Sequence, residues 1–208
     1  FSRPRPSGII AISLDPDDSL INVALTADQD QIVLGTRNGM AIRFNHEDAR
    51  AMGRAAGGVK GITLGRDDIV VDMAVIRPGM SLLTVCENGF GKRTDIEEYR
   101  LQKRGGSGVI NIRTPERNGE VVALRAVTDE HELMLITAQG IMLRTAVSQT
   151  REIGRATQGV RLIRLDEGDK VVSVARVAKE DDDSGEAKAE SATPPDAPGP
   201  DTSSSPTA

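Results

Sequence analysis

The chain is almost without aromatic side chains: three Phe, one Tyr and no Trp in 208 residues. Any core must therefore be built from Val, Ile, Leu and Met. Cysteine is nearly absent as well. The lone Cys86 excludes a disulfide framework and a multi-cysteine zinc site, and it fits a reducing compartment. No run of 18 apolar residues occurs, so no membrane-spanning helix is expected. No charged-then-apolar signal segment opens the sequence. An initiator Met is missing too, and Phe1 falls inside a repeating pattern. The sequence thus reads as a piece of a longer chain.

What is present is unevenly placed. The net charge is −5. Residues 179–208 hold eight acidic and two basic side chains, a charge of −6, which leaves +1 for residues 1–178. The acidity belongs to the tail, so the body is judged by where its arginines sit. From Lys179 onward the composition is mainly Asp, Glu, Ala, Ser and Pro. Few apolar side chains are available there to offset the entropy of ordering, and this segment is read as disordered.

The body repeats itself. A Gly-Val or Gly-Ile pair stands at Gly8-Ile9, Gly58-Val59, Gly108-Val109 and Gly159-Val160, in steps of 50, 50 and 51 residues. Ten residues after each glycine comes a turn residue, Asp18, Asp68, Asn118 and Asp169. An apolar strand is expected next: 20–24, 69–75, 121–127 and 171–177. A second strand then leads to an X-Gly turn at Asn38-Gly39, Asn88-Gly89 and Gln139-Gly140. Asn-Gly between two β-branched runs favours a tight hairpin, because both central positions need positive φ. No long 3.6-residue period appears. Gly53, Gly57 and Gly58 limit the loop 45–57 to a single helical turn. The unit is about four short strands in ~50 residues, the length of a propeller blade. Residues 1–178 are therefore expected to form an all-β, propeller-like array of three blades and part of a preceding one.

The repeat carries a lattice of arginines. Counted back from the Gly-Val glycine, arginine stands at fifteen residues (Arg43, Arg93, Arg144), at eight (Arg50, Arg100, Arg151) and at four (Arg54, Arg104, Arg155). Lys60, Lys92, Lys103 and Arg161 thicken it. On equivalent blades these residues make a curved, regularly spaced basic band. Phosphates complement such a band through counterion release. The scarcity of aromatics disfavours single-strand stacking and leaves a bent duplex held by its backbone. The competing reading is that these arginines pair with acidic residues of neighbouring blades and hold the rim together. Arg43, beside the apolar Met40 and Ile42, is the one expected to be partly packed.

Other candidates carry less. The acidic turns Asp17-Asp18, Asp67-Asp68 and Asp166-Glu167-Gly168-Asp169 recur in register and are read as turn residues that bond their own backbone. His46 and His131 occupy unrelated offsets and are read as surface residues. Cys86 follows an apolar run and is read as a core filler. Gly89-Phe-Gly91-Lys92-Arg93-Thr94 lacks the spacing of a phosphate loop.

The segments RAMGRAAGGVKGI (50–62), ENGFGKRT (87–94), TPERNGEVV (114–122) and GRATQGVRLIRL (154–165) resemble the C-terminal domain of DNA gyrase A. The resemblance covers residues 1–178, loops included. It implies a β-pinwheel of about six blades that wraps duplex DNA around a basic rim, so that the holoenzyme, a type II DNA topoisomerase, introduces negative supercoils. It further implies a bacterial cytoplasmic setting without membrane, assembly with the rest of gyrase A and with gyrase B, and a holoenzyme that uses ATP and Mg. No cofactor and no catalytic residue is expected in this stretch: Tyr99 belongs to a blade, and the family's catalytic tyrosine lies in another region. Gln102-Lys-Arg-Gly-Gly-Ser-Gly108 resembles the family's first-blade box, but its neighbours match a later blade. The corresponding C-terminal domain of the related topoisomerase IV is the alternative within the family. From other classes come a protein-binding propeller whose rim grips acidic partners and, with less support, a propeller enzyme. The tail, tethered beside a basic rim, is read either as a competitor of DNA or as a solubilising segment.

Overall fold

The structure, a computed structural model, describes residues 6–54 and 56–177. Its basic element is a hairpin. β1 (Gln31–Thr36) and β2 (Met40–Asn45) pair antiparallel, with Gly35 opposite Ala41 across the Asn38-Gly39 turn. Gly39 sits at φ 85°, and its amide donates to the Thr36 carbonyl oxygen. The next strand, β3 (Val70–Ile76), returns to the other edge of β1. The same plan recurs in β4 (Ser81–Cys86), β5 (Phe90–Asp95) and β7 (Val121–Val127), and in β8 (Glu132–Thr137), β9 (Met142–Ala146) and β11 (Val171–Val177). Between them lie two very short strands, β6 (Val109–Ile110) and β10 (Val160–Arg161).

These short strands link the repeats. After β5 the chain makes a 3-10 turn (Ile96–Glu98) and runs back to the preceding blade, where β6 pairs with β2. The sheet order is β3-β1-β2-β6. The second sheet repeats it as β10-β5-β4-β7, and the third has the order β11-β8-β9. Each of the first two blades is thus completed by a piece of the following repeat. Gly108 and Gly159 make this possible. Both have positive φ, and a Cβ on either would overlap the backbone of Ala41 or Gly91. On the other side β3, β7 and β11 pack on one another across blades, so they line the hub and the short strands mark the rim.

The core lies between blades, as expected for a sheet that must bury its faces against its neighbours. One cluster joins Val33 and Ile76 of the first blade to Leu82, Ile96, Tyr99 and Leu124 of the second. Another joins Leu83, Val85 and Val127 to Leu133, Leu135 and Val174. Tyr99, the single tyrosine, is fully buried, and its hydroxyl donates to Asn111 at 2.7 Å. Asn111 in turn donates to Thr84 at 2.9 Å.

The expected strands at 69–75, 121–127 and 171–177 are present within one residue. The loop after β2 holds one 3-10 turn, His46–Asp48, as its glycines dictate. The expected strand at 20–24 is absent. Its counterparts pair with the hairpin preceding them, and among the described residues no hairpin precedes 20–24, so Leu20, Val23 and Leu25 are exposed. The fourth strand of each of the first two blades comes from the next repeat and not from its own. The reading of 179–208 as disordered lies outside the described residues.

Candidate nucleic-acid interface

Each rim loop follows one course. From β5 it passes Arg100, Lys103 and Arg104 along the outer edge of β2, where Leu101 bridges to Arg43, and reaches β6. The equivalent loop after β9 passes Arg151 and Arg155 along β5, where Glu152 bridges to Arg93, and reaches β10. Backbone bonds dock the loops: Gln102 N–H to Arg43 O, Ile153 N–H to Arg93 O.

The three arginine sets divide by depth. Arg43 is only 8% exposed. Its guanidinium donates to the carbonyl oxygens of Ile96 at 2.8 Å and Tyr99 at 3.0 Å, to Gln31 at 2.6 Å and to Glu97 at 2.9 Å. It fastens the second repeat's 3-10 turn to the first blade. Arg93 is half-buried and ion-paired to Asp129 and Glu152. Arg144 is exposed and pairs with Glu132 of its own hairpin. Arg50, Arg100 and Arg151 are exposed on the rim. None of the three is in an ion pair among the described residues, and Arg100 has only a long bond, 3.4 Å, to Gln102. The last set is mixed. Arg54 is exposed. Arg104 donates to the carbonyl oxygens of Asp48 (2.7 Å) and Lys60 (3.0 Å), and Arg155 to that of Ile110 (2.9 Å). These two pin loop backbone while part of each guanidinium stays at the surface. Lys103 is 91% exposed beside Asp48.

Lys92 departs from the expected surface lattice. It is fully buried, and its Nζ donates to the carbonyl oxygen of Gly154 at 2.9 Å. Thr94 adds a bond to Ile153 O at 2.8 Å, so β5 supports the rim loop from beneath. Burial, helped by the nearby Arg155 charge, pushes Lys92 down to about 8, with Glu98 and Cys86 opposing. Repeat register exposes the anomaly: Lys92 occupies the place of Ile42 and Leu143, a core position. A second departure surrounds Phe90. Arg117 and Arg161 place their guanidinium carbons 5.0 and 5.2 Å from its ring centroid.

The acidic turns do what their position suggests. Asp68 accepts from the amides of Asn38 and Ile69, Asp169 from those of Gln139 and Lys170. Each carboxylate holds the X-Gly turn of its own blade. Burial works to raise the Asp169 carboxyl, but bonds from Thr137 and three backbone amides hold it below its ordinary value. His46 and His131 are half-buried and not free surface residues. His46 bonds Asp30 O at 3.1 Å, and His131 accepts from Thr128 N–H at 2.9 Å. Cys86 is buried in the core, and burial pushes its thiol up to about 12, so it is held as the neutral thiol. Among the described residues no group of three or more His, Cys, Asp or Glu is placed to hold a metal, and no helix is long and apolar enough to cross a membrane.

Strand-exchanged blades of ~50 residues around a hub, with unpaired arginines recurring on the outer loops, define a propeller-like repeat protein with a basic rim. The sequence profile of the DNA gyrase C-terminal domain, a β-propeller, matches residues 2–27, 30–77, 81–128 and 131–178. The chain belongs to that family. It is 59% identical over 183 residues to the DNA gyrase A protein of Halalkalibacterium halodurans, covering 88% of this chain and 22% of that protein. It spans about a fifth of the length of the curated relatives it matches. Among solved structures, a DNA gyrase A C-terminal domain superposes with a TM-score of 0.76 at 29% identity, covering 82% of this chain and 58% of the other. The C-terminal domain of a DNA topoisomerase IV gives 0.81 at 26% identity, covering 87% and 57%.

Proposed function

We propose that this chain is the DNA-wrapping part of a bacterial gyrase A protein, bending duplex DNA along its rim. The observation that carries the reading is the trio Arg50, Arg100 and Arg151: one per repeat, exposed, and without a counter-charge. Arg54, Arg104, Arg155 and Lys103 lie on the same loops and extend the phosphate track. Arg43, Arg93 and Arg144 contribute from beneath, by holding those loops or their hairpins. With almost no aromatic side chains, grip comes from phosphate neutralisation and from the curvature of the rim. This stretch supplies no catalytic group. Strand passage and ATP hydrolysis with Mg belong to the holoenzyme, built with the rest of gyrase A and with gyrase B in the cytoplasm. Family membership favours gyrase over topoisomerase IV as the parent enzyme, because the profile is that of gyrase and a gyrase A protein matches at 59% identity.

Salt dependence tests the reading. With six to ten phosphates contacted, duplex affinity of the full-length protein falls about 10³- to 10⁵-fold between about 50 and 200 mM salt. Exchange of Arg54, Arg104 and Arg155 to Ala weakens binding to all sequences alike. Affinity that is nearly independent of salt, or a preference for an acidic protein over DNA, would mean a protein-binding rim instead.

A further inference from the structure

The second blade carries one feature that the repeat does not explain. Phe90 opens β5 just after the Asn88-Gly89 turn, and Arg161 of β10 stands directly opposite it. Arg117 comes from the loop between β6 and β7. The guanidinium carbons lie 5.0 Å (Arg117) and 5.2 Å (Arg161) from the ring centroid, within cation–π range. Both arginines are exposed, and among the described residues neither is in an ion pair. Arg117 has one polar bond, its Nε to Asn118 at 3.3 Å.

Repeat register shows that none of the three is generic. Phe90 stands where the other blades have Met40 and Ile141, Arg161 where they have Lys60 and Ile110, and Arg117 where they have Asp67 and Gly168. A structural need common to all blades would appear in all of them. Two like charges brought to one ring repel each other, and the ring quadrupole offsets this only in part. Anchoring on Phe90 nonetheless restricts two long side chains to one geometry. The ordering entropy that an anion would otherwise impose on them is thereby reduced. An anion bridging two uncompensated guanidiniums is the complement of this arrangement.

We infer that Arg117 and Arg161, held on Phe90, form a clamp for the DNA phosphodiester backbone at the turn end of the second blade, a contact the repeated rim lattice does not supply. It rests on the wrapping function proposed above. The clamp lies at the end of the rim loop that carries Arg151 and Arg155, so a duplex crossing that loop meets it next. Among the described blades only the second has it, so it adds a local contact to the track of repeated arginines.

The experiment is a salt titration of duplex binding by the full-length protein, with three variants. For R117Q/R161Q the slope of log K against log salt becomes less steep by about 1.8, as for two lost phosphate contacts. R117K/R161K keeps the slope, since charge is retained. Phe90→Leu keeps the slope but lowers affinity, since the charges remain and their positioning is lost. A hydroxyl-radical footprint loses one short protected stretch in R117Q/R161Q and keeps the others. An unchanged slope and footprint in R117Q/R161Q, in a protein whose unaltered form shows the steep slope, would overturn the clamp and leave wrapping intact. A shallow slope in the unaltered protein would overturn both.

Discussion

Arg43 and Arg50 lie seven residues apart in one repeat and serve different ends. Arg43 satisfies two carbonyl oxygens of the next repeat's turn. Arg43→Ala leaves the Tyr99 carbonyl oxygen without its donor in a dry site, which costs about 1–3 kcal/mol, measured by urea unfolding; the Ile96 oxygen keeps the Tyr99 N–H. Arg50→Ala changes stability by less than about 0.5 kcal/mol yet weakens duplex binding. The lattice that contains both residues was legible in the sequence, because equal spacing marks equivalent positions. Depth was not legible, since spacing does not tell a rim from a core. Lys92 carried a readable signal all the same: a lysine in register with Ile42 and Leu143 stands at a core position. It yields a pH prediction. Its native pKa of about 8 lies below the ordinary 10.5. Between these values the unfolded chain holds a proton that the native protein has released, so stability gains with rising pH across that window. Lys92→Met removes this gain. Urea midpoints of both proteins at pH 7, 8, 9 and 10 check it, and parallel curves would count against a depressed lysine.

The elements hold together through small groups at turns and crossings. Gly159 is at φ 73° against the backbone of Gly91. Gly159→Ala both strains the backbone and pushes β10 off β5, with a loss of ~2 kcal/mol or more and faster amide exchange at Val160 and Gly91. Asp169 holds the turn at Gln139-Gly140, and its position in the second repeat is filled by Asn118. Asp169→Asn is therefore expected to be milder than Asp169→Ala. The contribution of the Asp169 charge is complete above the ordinary carboxylate value of 3.8 and is lost as pH falls through the lower native value. Thermal melts of the wild type and of Asp169→Asn should converge toward acid. Hairpins, turn residues and the long third strands were all legible, because β-branched runs and Asn-Gly signals are local. The exchange of β6 and β10 between blades was not. A two-residue strand has no periodicity, and its pairing depends on a close backbone approach that only the two glycines hinted at. The expected strand at 20–24 had the right residues, but among the described residues there is no hairpin for it to pair with.

At the scale of the molecule, strand exchange places one basic loop per repeat on the rim at a regular interval. Fold class and rim were legible because the 50-residue period multiplies every weak local signal by the number of repeats. The Phe90 clamp was not, because among the described blades it occurs once and it joins residues from three separate segments. The central claim is that the rim curves the duplex and does not merely bind it. DNA that follows a chiral path around a protein changes its linking number when a nicked circle is sealed on it. The most direct measurement is the ligation of nicked circular DNA in the presence of the full-length protein, followed by gel separation of topoisomers. The account predicts a shift of the topoisomer distribution that grows with protein and disappears when Arg50, Arg100 and Arg151 are exchanged together for Gln. Tight, salt-dependent binding with an unshifted distribution would contradict it.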